Sequence, residues 1–477
     1  MKRRHGQPPS AASAGARPSS AALAWPLLLS MALGCAAPAL QAGELVPDPD
    51  HFMGGEPVEP APPVPRPAPA DRAESLAALL QRVLAADPQV RVALAQWQAA
   101  EQRRLQLRSR LGPTVSVTGT RGNGLEREFG VLLERHTDRA EAGLRWNLYN
   151  GGNDLAELRA GTRELAAAAQ DLRRAREDTS ERLAETYVDV LRLQTLLPFA
   201  QTRLKTVGQL VDQVKRQNAA GKASDADATQ AEASLLDAQM QHDLLVSDLD
   251  SARAKLAAEV GTEVREALPV VLQPAPAGAA VYGAPGLVDS ARMKAEAARE
   301  RVRPRLSLLA PRIDLEFRRQ LGDQTRPAPT TEQQRTWLLT ARWDFPVMGE
   351  TLARRTETQR RAEAAEADAD RVARSVQADL KALDARIANA QRTLTLLDQQ
   401  LLQYDQLLRA GELQFEAGRR TLAQLIQLRE SRYNIEQRRV EQAHKLLAAR
   451  MRQLALVGQL LPALGLPSLP SEVSDPS

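Results

Sequence analysis

Very few side chains in this 477-residue sequence are of a kind, and in a spacing, that could do covalent chemistry. There are five histidines and one cysteine, Cys35. No Gly-rich phosphate loop, nucleophile motif or cluster of histidines with carboxylates occurs, and a lone thiol makes neither an intrachain disulfide nor a thiolate metal cluster. An enzyme, a resident metal and a cofactor are therefore not expected. Cys35 itself could take an acyl chain, since it follows Ala32-Leu33-Gly34, a segment similar to the acylation site of bacterial lipoproteins, although Leu33 is bulkier than the residue usual there. His242 stands on a helical seam with no metal-ligand spacing around it, so it reads as a packing or registry residue.

The remaining chemistry is non-covalent. Basic and acidic residues number 63 and 59, for a net charge of +4, and they are interspersed, which gives no basic stripe for nucleic acid. Aromatic residues make up only 3% of the chain, too few for an ordinary large core. Abundant Ala, Leu, Arg, Gln and Glu suit long helices packed on one another.

Those helices belong to an internal duplication. Arg145-Trp146 followed by Gly152 recurs as Arg342-Trp343 followed by Gly349, Ala220-Gly221 as Ala417-Gly418, and Gly261 as Gly458, always 197 positions apart. Each copy runs from alternating, strand-like segments into a nearly glycine-free helical stretch. In the first copy, Thr114 to Thr120 alternate as a strand, Arg121-Gly122-Asn123-Gly124 reads as a loop, and Glu141 to Tyr149 alternate again. In the second, Ile313, Leu315 and Phe317 form one apolar face, and Trp337, Leu339, Ala341, Trp343 and Phe345 another. A soluble sandwich would show the same alternation. Aromatics bunched on the apolar face (Trp146, Trp337, Trp343, Phe345) are also what a membrane barrel shows at its interfaces. Helix follows over 153–217, about 100 Å if continuous. A return limb, Asp225 to Val260, has a heptad seam at Ala231, Leu235, Ala238, His242, Leu245, Leu249, Ala252 and Leu256.

The chain divides into an export signal at 1–42 (basic Lys2 to Arg4, then an apolar core), a Pro/Ala-rich tether at 43–74, a first repeat at 75–266, a connector at 267–286, a second repeat at 287–461 and a C-terminal tail at 462–477. Cleavage before Cys35 or after Ala42 both fit. Two strands per repeat cannot close a barrel, and an open edge is not tolerated in lipid, so several chains must share one. The fold expected is mainly α with a small β part: long antiparallel coiled-coil hairpins in two tandem repeats, each giving two strands to a shared transmembrane β-barrel.

Over residues 75–461 the chain resembles the TolC-like outer membrane efflux and secretion channels. The resemblance is carried by Asp87-Pro88, Pro113 before a strand, the run Leu144-Arg145-Trp146-Asn147-Leu148-Tyr149-Asn150-Gly151-Gly152, the turns Ala220-Gly221 and Ala417-Gly418, Tyr433-Asn434, and the terminal Gly261 and Gly458. It implies a homotrimer in outer membrane lipid with a periplasmic helical tunnel, working with an adaptor protein and an inner-membrane pump of ABC or RND type. It places adaptor docking on Gly221, Lys222, Ser224, Gly418, Arg419 and Thr421, and an entrance gate on Asp227 paired with Arg420. Gln424 and Gln427 stand where relatives have an acidic ring, so strong cation blockade is not expected here. Efflux and one-step protein secretion both fit such a conduit. The rival readings are a periplasmic adaptor, which would carry one hairpin framed by β domains, and a structural periplasmic coiled coil.

Overall fold

A computed structural model describes residues 73–128, 131–273, 286–303, 310–323, 335–343, 349–470 and 473. The export signal with Cys35, nearly all of the tether, Phe345 and most of the connector lie outside the described residues.

The helix α1 (Leu76–Ala86) is short and buries Leu76, Leu79, Leu80, Val83 and Leu84 on one face. The next, α2 (Pro88–Ser109), begins where Asp87 Oδ1 accepts from the backbone N–H groups of Gln89 (2.7 Å) and Val90 (3.2 Å). Pro88 takes the first helical position, where no N–H is needed. Arg182 donates to the other oxygen of Asp87 at 2.5 Å, so this buried cap also ties α2 to the first long helix.

Two antiparallel hairpins follow at separate places in the chain: β1 (Thr114–Glu128) with β2 (Val131–Asn150), and β3 (Arg312–Asp323) with β4 (Arg335–Arg342). They join through β2 and β3 into one four-stranded sheet of order β1-β2-β3-β4. The loop expected at Arg121–Gly124 is instead strand: Arg121 pairs with Asp138, Gly122 with Thr137, Asn123 with His136 and Gly124 with Arg135. Ladder pairing along the whole length of β1 with the longer β2 overrides the weak strand propensity of Gly and Asn.

The long helices are α3 (Asn153–Ala219) and α6 (Glu350–Glu416), each of 67 residues, with return limbs α4 (Asp225–Val260) and α7 (Leu422–Leu456). A shorter helix, α5 (Gly286–Val302), precedes β3. Gly152 and Gly349 occupy the N-caps of α3 and α6 at φ 77° and 75°, a region that disfavours a side chain, so the start of both helices is fixed by glycine. Pro198 does not break α3; Thr202 Oγ1 donates to the Pro198 carbonyl at 2.8 Å. On α6 the buried hydrophobic residues are Ala362, Ala369, Val376, Leu383, Ala390 and Leu397, a seven-residue repeat that makes a coiled-coil seam, and Gly411 is buried two repeats further on. On α4, five of the eight seam positions are buried, while Leu235, His242 and Leu245 are half-buried.

Laterally, α3 packs on both α4 and α7, and α7 on α6, so the hairpins lie side by side in the order α4-α3-α7-α6. The main core surrounds the middle of α3. Tyr187, fully buried, reaches the carbonyls of Glu74 (2.9 Å) and Leu268 (2.8 Å) with its hydroxyl, and Glu74 bridges Ala267 as a minimal parallel pair. The residues read as a tail pack here too. After the single-turn α8 (Leu460–Ala463), Leu466 and Val473 are buried, and Arg173 and Arg176 donate to the carbonyls of Gly458 (2.8 Å) and Pro467 (3.0 Å). No described helix is long and apolar enough to cross a membrane.

Candidate functional site

Strand alternation sorts the sheet into two faces. On one, Val115, Val117, Leu144, Trp146, Leu315, Phe317, Trp337 and Leu339 align in register; Val115, Val117, Trp337 and Leu339 are 65–73% exposed. Exposed apolar area of this extent marks a surface that belongs against lipid or protein. Phe317 and Trp337 pack ring on ring, centroids 4.3 Å apart and tilted by 39°. Trp146 anchors the helix-proximal end, its indole N–H donating to the Leu111 carbonyl at 2.8 Å. Trp343, exposed, lies one residue beyond β4.

The other face is polar. Arg145 donates to Glu316 at 2.6 Å and Arg318 donates to the same carboxylate at 3.1 Å, while Thr114, Ser116, Thr118 and Glu141 flank them around a cavity of about 500 Å³. Gly143 lets Ser116 approach closely on this face: a Cβ there would sit 2.9 Å from Ser116 Oγ, which would have to turn away. Apolar without and polar within is the pattern of a barrel wall.

At the far end, the two turns are built alike. Gly221 and Gly418 adopt φ 73° and 69°. Ser224 caps α4 in a reciprocal box with Asp227, and Thr421 caps α7 in the same way with Gln424. Thus Asp227, placed in the gate by resemblance, is held by its own turn: Oδ2 accepts from Ser224 Oγ at 2.7 Å and from the Ser224 N–H at 3.2 Å. Arg420 lies over Gly411, where a Cβ would come within 2.7 Å of its Nη1, and makes no ion pair with Asp227 inside one chain. Gln427 is exposed beside these turns, as are Lys222 and Arg419. An apolar cluster of Leu210, Val211 and Val214 from α3, Ala231 from α4, and Leu422 and Leu425 from α7 holds both tips of the chain together.

Two buried charged groups escaped the sequence reading. Arg203 of α3 donates to Asp237 of α4 (2.7 Å) and to both oxygens of Glu430 of α7 (2.8 Å each), bonds Gln241, and lies 4.8 Å from the ring centre of Tyr433. It sits 16 residues above the end of α3, about 25 Å from the turn, and bolts the hairpins to each other. Glu177, 1% exposed, faces the backbone of Leu460 and Leu461 at the start of α8. Burial pushes its carboxyl up to about 8, against the pull of the Leu461 N–H and of Arg173, and neither oxygen makes a hydrogen bond of ordinary geometry. Nothing in the sequence distinguishes either residue from dozens of other charged helical positions. Among the described residues no group of His, Cys, Asp and Glu is placed to hold a metal.

Residues 79–262 match the outer membrane efflux protein family. Comparison with curated proteins finds no match. Solved structures share the fold. The outer membrane protein VceC from Vibrio cholerae aligns at TM-score 0.69 and 18% identity over 83% of this chain and 97% of its own. The CmeC outer membrane channel of Campylobacter jejuni aligns at 0.67 and 11% identity over 81% and 86%. The open-state MtrE outer membrane channel of Neisseria gonorrhoeae aligns at 0.65 and 17% identity over 82% and 89%.

Proposed function

We propose that this chain, which carries the outer membrane efflux protein domain and has the fold of TolC-like channels, is the outer membrane conduit of a tripartite efflux or one-step secretion system. The observation that supports this best is a four-stranded sheet whose outer strands, β1 and β4, have no second partner among the described residues, with an exposed apolar face and a polar reverse. Lipid does not tolerate such edges, so β4 of one copy pairs with β1 of the next until the ring closes. The helical layer supports the same closure. Leu236, Met240 and Leu244 form an exposed stripe on α4, and Leu396, Leu402, Leu407 and Leu413 are exposed on α6, the two helices at the outer ends of the packing order. Head-to-tail contact between them continues the coiled coil around a tunnel. Three copies give twelve strands and a lumen wider than side chains can fill, as the family resemblance implies.

In this reading the β-barrel lies in the outer membrane, the hairpins extend through the periplasm, and the turns at Gly221, Lys222, Ser224, Gly418, Arg419 and Thr421 meet an adaptor that links them to an inner-membrane pump. Arg420, Asp227, Gln424 and Gln427 surround the entrance. The pump supplies energy and selection; the conduit performs no reaction.

The test is single-channel recording of the purified oligomer in a planar bilayer. Long-lived conductance steps from a heat-sensitive trimer are expected. A monomeric, non-conducting protein in the soluble periplasmic fraction would overturn the reading in favour of an adaptor or scaffold.

A further inference from the structure

Two arginines on the apolar face of the sheet are left without a counter-charge. Arg319 and Arg335 are register partners across β3 and β4, so their Cβ atoms lie roughly 5 Å apart on the same side. Directly opposed like charges destabilise a strand pair. Both side chains are exposed, and neither has a hydrogen bond or ion pair among the described residues. The row continues through Ala142 and Val117, which are small and uncharged.

Ring closure does not cure the imbalance. The strand that meets β4 is β1 of the next copy, and on this face its positions 115 to 123 offer Val115, Val117, Gly119, Arg121 and Asn123, with no carboxylate. Arg121 is itself 4.0 Å from Asp138. The segment between β3 and β4, 324–334, contributes one acid, Glu332, and one base, Arg326, to the sequence. Arginines on the polar face fare otherwise where a carboxylate is at hand, and where one is not, at Arg312 and Arg342, the pair lies beside the helices rather than on the apolar face. Arg145 and Arg318 share Glu316 on the polar face, and Arg312, opposite Arg342 at the helix-proximal end, donates to Asn150 at 3.3 Å.

The level of the pair along the strands identifies its partner. Trp343 and Trp337 bracket Ala341 and Leu339 over a span of about 20 Å, close to the height of the apolar band of an outer membrane barrel. Arg335 stands two residues beyond Trp337, on the side of the strand turn and away from the helices. That is the level of the head groups in the outer leaflet.

We propose that Arg319 and Arg335 together bind the phosphate of a phosphorylated glycolipid head group in the outer leaflet, with the Phe317–Trp337 pair as the apolar wall beneath it. The proposal rests on the barrel reading above. Guanidinium forks match phosphate oxygens two by two, and one phosphate dianion neutralises both cations, turning a repulsive strand pair into a bridged one. The small side chains of Ala142 and Val117 leave the approach open. One such site per chain would be set at the seam between the second repeat and the next copy, so the bound lipid also stiffens the edge strand on which closure depends.

The test uses the full-length trimer purified in detergent, with bis-phosphorylated lipid A, its dephosphorylated form and inorganic phosphate as separate probes, read by native mass spectrometry and by the temperature at which the trimer dissociates. The phosphorylated lipid should bind and raise that temperature; the dephosphorylated lipid and inorganic phosphate should do neither. Affinity should fall about tenfold for each of Arg319→Gln and Arg335→Gln. Arg319→Glu creates an opposed-charge pair, so it should raise the dissociation temperature without lipid while abolishing the response to lipid A. Equal binding of both lipids, stabilisation by inorganic phosphate alone, or unchanged lipid A binding by Arg319→Glu overturns the proposal. Conductance separates the two levels: if wild type and variants conduct but show no phosphate preference, the lipid site fails and the conduit stands, whereas absence of any conductance removes the barrel itself.

Discussion

Glu177→Gln should make the C-terminal segment more firmly held, by an amount that grows with pH. The carboxyl sits at 1% exposure with its proton favoured up to about 8, against 4.5 in the unfolded chain. Below pH 4.5 both states are protonated and the wild type loses nothing. As pH rises from 4.5 to about 8 the unfolded state releases its proton while the folded state resists, so stability falls by at most ~1.4 kcal/mol per pH unit. The ceiling is about 5 kcal/mol per chain by pH 8 and about 3 kcal/mol at pH 7, with the realised loss smaller because Arg173 and Arg176 can relax toward the charge. Glutamine keeps an acceptor toward Leu460 and Leu461 and cannot ionise. The assay is backbone hydrogen exchange over residues 458–470 in the detergent-solubilised oligomer at pH 5 to 8, corrected for intrinsic rates. Wild-type protection should decline with pH relative to Glu177→Gln, and the gap should be smallest at pH 5, at most about fourfold in exchange rate. Parallel profiles across the range would refute the reasoning, because they would mean that Glu177 is already ionised in the folded chain.

Arg203→Met should loosen the junction of α3 with α4 and α7 by about 2–4 kcal/mol, since it leaves Glu430 and Asp237 without their shared cation; exchange over 425–436 should rise, and Glu430→Gln in the same chain should recover part of the loss. Gly161→Ala should cost about 1–3 kcal/mol in thermal stability, because its Cβ would meet Leu107 Cδ1 at 2.6 Å, and adding Leu107→Ala should make the glycine change nearly neutral. Gly221→Val and Gly418→Val place a branched side chain at φ near +70°, a strain of about 1–3 kcal/mol confined to the turns. Transport in cells should fall while the heat-sensitive oligomer persists on a gel, and loss of the oligomer would count against the tip assignment.

Glycines carried most of the architecture into view from sequence. Gly152, Gly221 and Gly261 recur as Gly349, Gly418 and Gly458, and all six have positive φ, so a constraint on backbone shape was written as residue identity at a fixed offset of 197. Capping follows the same offset, Ser224 with Asp227 matching Thr421 with Gln424, which gives Gln424 a local task that does not depend on an entrance charge. The strand ladder was legible where apolar and polar residues alternate and failed at Arg121 to Gly124, where pairing with 135–138 decides the conformation. Arg203 and Glu177 were invisible for another reason. Their roles depend on which face of α3 meets α7 and α8, and that phase is set by packing across more than 200 residues of chain.

The equal length of α3 and α6 ties the histories of the two repeats together. Both helices start at a left-handed glycine beside the sheet and end 67 residues later in the same capped turn, and the tips are joined by one apolar cluster. A deletion of one heptad from the first hairpin would lift its turn by about 10 Å and pull Leu210, Val211 and Val214 away from Leu422 and Leu425. Only a matching deletion in the second hairpin would restore the cluster. Insertions and deletions in the helices of natural variants should therefore come in pairs, one per repeat and whole heptads at a time, while the strand turns are free to change length singly.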